Sequence, residues 1–151
     1  MERIFSGARL AGAIWLSMAG FVLPNVANAA GALAIGLPSD VAAEGIAMFV
    51  WVKAPTMADA RAKALEGCRN LKGASDKSRS LCKVVATFTN QCAAEALDPQ
   101  DGTPGFGWAV ADSSTEARRQ ALENCRATAG PTRQDACVVG KDGLWCDGTA
   151  R

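Results

Sequence analysis

The stretch ADARAKALEGCR at positions 58–69 returns 57 positions later as TEARRQALENCR at 115–126. Extending the comparison to 49–69 against 106–126 gives ten identities in 21 positions. They include Phe49/Phe106, Trp51/Trp108, Ala64/Ala121, Glu66/Glu123, Cys68/Cys125 and Arg69/Arg126. Tryptophan and cysteine are rare, so their recurrence at one constant offset marks an internal duplication. Two copies are too few for a solenoid, whose units need neighbours on both sides. The chain must therefore close a core from two similar units.

Each copy reads alike. EGIAMFVWVKA and GFGWAVA are apolar and rich in strand formers, which predicts strands. Thr56 with Asp59, and Ser113 with Glu116, set a hydroxyl three residues before a carboxylate, the spacing of a helix N-cap. The helices that follow carry Ala60, Ala64, Leu65, Cys68 and Ala117, Ala121, Leu122, Cys125 on one stripe. Polar connections come next, KGASDKSRS and AGPTRQD, then strands led by cysteine, LCKVVATF and ACVVG. Short strands at 31–37 and 93–98 open the units. The expected fold is α+β: two β-β-α-β repeats, about 30–91 and 92–151, forming one mostly antiparallel sheet with both helices on one face.

Residues 1–29 are read apart from the fold. MERIFSGAR carries Arg3 and Arg9, LAGAIWLSMAGFVL is apolar, and PNVANA ends in Ala-x-Ala at Ala27 and Ala29, the order of a secretory signal peptide. The apolar run is shorter than the roughly 20 residues that span a bilayer, so no membrane anchor is expected to remain after cleavage. All six cysteines follow this segment. An even number of cysteines in a small exported domain predicts disulfides. Zinc sites show tighter cysteine pairs or histidines, and the chain has no histidine.

Six cysteines allow 15 pairings. Treating the copies alike leaves several, and locality favours Cys68–Cys82 and Cys125–Cys137, with Cys92–Cys146 left over. Closing a loop of about 15 residues contributes roughly 3 kcal/mol in the chain-entropy picture.

An opening AGALAIG, then FVWVKAPTMADARAKALEGC, CKVVATFTNQCAAEAL, GFGWAVADSSTEARRQALENC and a terminal LWC, resembles the Domain of Unknown Function 4189 family. The resemblance covers nearly all of 30–146. It implies an exported bacterial domain and brings no catalytic residues with it. The chain departs from the family pattern in a longer connection at 72–80 and in GKDG, which interrupts the final strand.

The composition excludes several chemistries. Without histidine, Ser-His-Asp and Cys-His catalysis and histidine-ligated metals are ruled out. Removing Glu2, Arg3 and Arg9 from totals of 16 basic and 15 acidic residues leaves 14 of each, so the exported chain lacks the field that drives phosphate-backbone binding. No nucleic-acid partner, metal or cofactor is expected. Glu66 and Glu123 are the one matched carboxylate pair in the repeat, and an envelope hydrolase using them as paired acid and base is the alternative reading. The simpler account pairs Glu66 with Arg69 and Glu123 with Arg126 along each helix. DPQDG at 98–102 lacks the alternating oxygen ligands of a calcium loop and reads as a turn.

Phe49 and Trp51 share a strand face, as do Phe106 and Trp108. Related by a pseudo-two-fold, the four rings form a single cluster, either beneath the helices or as an exposed platform for a partner or glycan. Lys72, Lys77 and Arg79 in the long connection suit an acidic partner. The expected function is a non-enzymatic, periplasmic or secreted interaction module of inhibitor type that binds another exported or envelope protein. A structural or stress-related protein with no discrete site is a further alternative.

Overall fold

The computed structural model describes residues 29–151. The expected signal segment, apart from its last residue, lies outside the described residues. Strand β1 (Ala30–Gly36) is followed by a one-turn helix α1 (Val41–Glu44), β2 (Ala47–Ala54), α2 (Met57–Arg69), α3 (Asp76–Ser80) and β3 (Lys83–Phe88). The second half runs β4 (Cys92–Leu97), β5 (Phe106–Ala111), α4 (Ser114–Thr128), a 3-10 turn (Gln134–Ala136) and β6 (Leu144–Cys146). The β-β-α-β order thus occurs twice.

The strands form two antiparallel sheets, ordered β2-β1-β3 and β5-β4-β6, in place of the single sheet expected from the sequence. The reason lies in which surfaces are apolar. In each half, one sheet face is a stripe of small residues that meets the helix. Ala32, Ala34 and Ala47 pack with Ala60, Ala64 and Cys68 of α2. Ala94, Ala96 and Ala109 pack with Ala117, Ala121 and Cys125 of α4. The opposite faces carry the bulky residues, and Leu33, Ile35, Met48, Val50 and Phe88 of one half join Ala93 and Phe106 of the other in a shared core. Each sheet is therefore apolar on both sides, and the halves stack face to face with their helices outermost. One continuous sheet would leave the larger of these faces in water.

The helix starts behave as the capping pattern predicts. Thr56 Oγ1 accepts from the Asp59 amide at 3.1 Å, and Ser113 Oγ from that of Glu116 at 3.3 Å. The polar connection after α2 is not a free loop: Ser75 caps α3, and buried Ser78 donates to the carbonyls of Glu44 and Gly45. The strand expected at ACVVG shrinks to one bridge between Leu97 and Val138. A turn closed by the Gly143 amide on the Gly140 carbonyl intervenes, and LWC supplies β6 instead.

The three disulfides join Cys68 to Cys82, Cys125 to Cys137 and Cys92 to Cys146. The first two tie each helix end to the segment after it, across 14 and 12 residues. The third links β4 to β6 across 54 residues.

Candidate functional site

The expected cluster of four rings does not form. Phe49 and Trp51 lie on the helix side of their sheet, stacked on each other with centroids 6.4 Å apart, and Phe49 packs against the α2 core. Phe106 and Trp108 point the other way, into the core between the sheets. A single residue causes this. Ala32 pairs with Trp51 but Ala30 pairs with Ala54, so β2 carries one extra residue where its partner has none. Lys53 takes it up with φ of 60°, a left-handed β-bulge. In β5 the pairing runs unbroken, Cys92 with Ala111 and Ala94 with Ala109. Side chains alternate with period two, so one inserted residue puts identical letters on opposite faces.

The bulge is held from the other half of the molecule. Asp147 is fully buried, and its Oδ1 accepts from the Lys53 amide at 2.7 Å.

A concavity of about 1020 Å³ lies along the free edge of β5, between α4 and the segment 37–42. The register defines its floor. The Thr128 hydroxyl accepts from the Phe106 amide at 2.9 Å and donates to the Phe106 carbonyl at 2.8 Å. Alternate residues of an antiparallel strand point their backbone groups the same way, so Phe106, Trp108 and Val110 face the groove. Asn124 Nδ2 donates to the Trp108 carbonyl at 2.8 Å. Thr128, Asn124 and Gln120, spaced four apart on α4, thus run beside these three strand positions, a match of helical rise to strand rise. The first two caps close part of an otherwise open sheet edge. In the first copy the corresponding positions are Leu71, already past the end of α2, Gly67 and Lys63, which provide no such ladder.

Apolar surface completes the site. Leu37 is 51% exposed and borders both this groove and a neighbouring cleft of about 430 Å³ that contains Leu81 and Lys83. Trp108 separates the two, half-buried. Asp40 stands on the wall facing α4, its carboxylate accepting from the Ala43 amide at 2.9 Å. Beside Trp108, on the same face of the sheet, burial raises the pKa of Glu95.

The other residues singled out by sequence are dispersed. Lys72 and Lys77 are exposed, while Arg79 is committed to Asp76 and approaches the Leu71 carbonyl. Glu66 and Glu123 stand on α2 and α4, which pack against separate sheets. Their ion pairs also run backward, not forward to Arg69 and Arg126: Lys63 meets Glu66 at 3.1 Å and Arg119 meets Glu123 at 2.5 Å. Asp98, in the turn DPQDG, is held by Arg133 at 2.6 and 2.7 Å, which lowers its pKa to about 2. Among the described residues no cluster of three metal-ligating side chains occurs, and no helix is long and apolar enough to cross a membrane.

Sequence reasoning reached Phe106 and Trp108 but missed Leu37, Asp40, Gln120, Asn124 and Thr128. The signal was present as a polar stripe on the second helix that its first-copy counterpart lacks.

Neither a curated protein nor a solved structure shows significant similarity to the chain. The model of a domain of unknown function (DUF4189) matches residues 30–142. Through that match, which takes in both sheets' central strands, both long helices and the groove between them and residues 37–42, the chain belongs to the DUF4189 family.

Proposed function

We propose that this protein is an exported, non-enzymatic interaction module of inhibitor type that engages another exported or envelope protein through the β5 groove. One observation carries the reading: the strongly exposed Leu37 and half-buried Trp108 line one groove at an open sheet edge bordered by polar side chains. An apolar centre with a polar rim is the anatomy of a recognition surface. Three disulfides support an oxidising setting outside the cytoplasm; periplasmic residence or secretion belongs to the proposal.

Site-specific photo-crosslinking in the producing cell tests it. A crosslinker at Ser39, exposed on the groove wall, should capture one envelope protein, one at Met57 on the far helix should not, and Leu37→Asp in the Ser39-labelled chain should abolish the adduct. Equal capture from both positions would sink the proposal.

A further inference from the structure

The Cys92–Cys146 disulfide differs from the other two in its surroundings. Cys68, Cys82, Cys92, Cys125 and Cys137 are all buried, none more than 5% exposed. Cys146 is only half-buried and ends β6, a three-residue strand on the edge of its sheet. Beyond the disulfide, a short ladder, a few backbone bonds and the packing of Leu144, Cys146 and Ala150 against the α4 core hold this segment. Three residue pairs join β6 to β4, and the Asp147 amide donates to the Gln91 carbonyl at 2.9 Å. The Thr149 amide reaches Asn90 at 3.2 Å, and the Arg151 carbonyl accepts from Ser114 at 2.9 Å. The chain up to Val138 is separately anchored, by Cys125–Cys137 and by the bridge to Leu97.

This short segment also bears on the first half. Asp147, next to Cys146, accepts from the Lys53 amide at the β2 bulge, 94 residues away in sequence. Trp145 packs against the core between the sheets.

We infer that Cys92–Cys146 is a redox-operated clasp, opened by a dithiol reductant while the other two disulfides stay closed. Attack begins at Cys146, the less buried partner, since exchange rates depend on access and on which sulfur is attacked. A thiolate of the reductant bonds to Cys146 Sγ, the Cys92–Cys146 bond breaks, and Cys92 leaves as a thiolate. The second thiol of the reductant then attacks its own sulfur in the mixed disulfide and expels Cys146. The protein gains two electrons and two protons, and the dithiol becomes a disulfide. Opening frees residues 139–151, withdraws Asp147 from Lys53, and uncovers the edge of β4 that β6 had paired. The face where the two halves meet thereby becomes conditional on redox state, separately from the β5 groove.

The test uses the full oxidised chain and dithiothreitol. Samples at rising reductant are quenched with iodoacetamide and the alkylated cysteines mapped. Cys92 and Cys146 should be labelled at concentrations about tenfold or more below those that label the other four. Hydrogen exchange at that stage should rise at Lys53 and 144–151 while α2 and α4 stay protected, and Trp145 emission should shift to the red. Concerted labelling of all six cysteines, earlier labelling of Cys68 or Cys125, or simultaneous loss of protection in α2 and α4 would each overturn the inference.

Discussion

The ring of Phe49 lies against the backbone of Gly67: a β-carbon added at Gly67 would sit 2.4 Å from Phe49 Cδ1. The second copy solves the same contact in reverse. There the strand contributes Gly107, where a β-carbon would sit 2.2 Å from the Cys125 amide nitrogen, and the helix contributes Asn124 at the place of Gly67. Gly67→Ala in an ordinary helix would gain up to about 1 kcal/mol. Here overpacking should reverse the sign and cost about 1–3 kcal/mol in urea unfolding. In a Phe49→Ala background that cost should vanish. An equal cost in both backgrounds would refute the contact as its cause.

Lys53 and Asp147 couple the halves through one hydrogen bond. Asp147→Ala removes the acceptor of the part-buried Lys53 amide and should lower stability by about 1 kcal/mol. Lys53→Gly retains the amide and suits φ of 60°, so it should cause no loss. Lys53→Pro removes the donor and fixes φ near −65°, and should unfold the bulge. Thermal unfolding of the three variants separates the hydrogen bond from the backbone conformation.

Glu95 stands on the shared core face, where the corresponding position in the first half is Leu33. Its raised pKa means that ionisation is disfavoured in the folded state. For an acid with this sign, the penalty is complete above the folded value, shrinks as pH falls below it and is gone below the unfolded value. Glu95→Gln should therefore stabilise by about 1 kcal/mol at neutral pH, an advantage that shrinks in acid. Urea midpoints at about pH 4 and pH 8 would show the difference; a constant gap would count against it.

Asp98 has the opposite sign. Hydrogen bonds from Arg133, aided by the Gln100 amide, hold its pKa to about 2. Its contribution is complete above the unfolded carboxyl value and is lost as pH falls from about 4 towards 2. Glu116, hydrogen-bonded by Arg119 and Gln120, is lowered to about 2 as well and titrates in the same window. Arg133→Ala should move the acid unfolding transition to higher pH while leaving its alkaline side unchanged, measured by circular dichroism.

The two long helices were legible because capping residues and an alanine stripe are local signals, and alanine against a sheet leaves few alternatives; the short α1 and α3 were not read. Disulfide locality followed from the same repeat. The facing of the strands was not legible. Period two makes facing depend on a count, and the extra residue sits at Lys53, a residue type that gives no warning of left-handed backbone. The number of sheets hinged on Leu33, Ile35, Met48 and Val50 forming a second apolar face, which a short continuous apolar run does not reveal. The groove was missed because Leu37 and α4 come together only when β5 becomes an edge.

The order of the cysteines along the chain has a consequence for biosynthesis. Cys68 meets Cys82 as its next neighbour, but Cys92 must pass over Cys125 and Cys137 before reaching Cys146. An oxidase joining thiols in order of emergence would trap Cys92 with Cys125. Native pairing therefore requires Cys92 to wait as a thiol or an isomerase to correct the error, so the yield of this small protein should depend on its host's proofreading of disulfides.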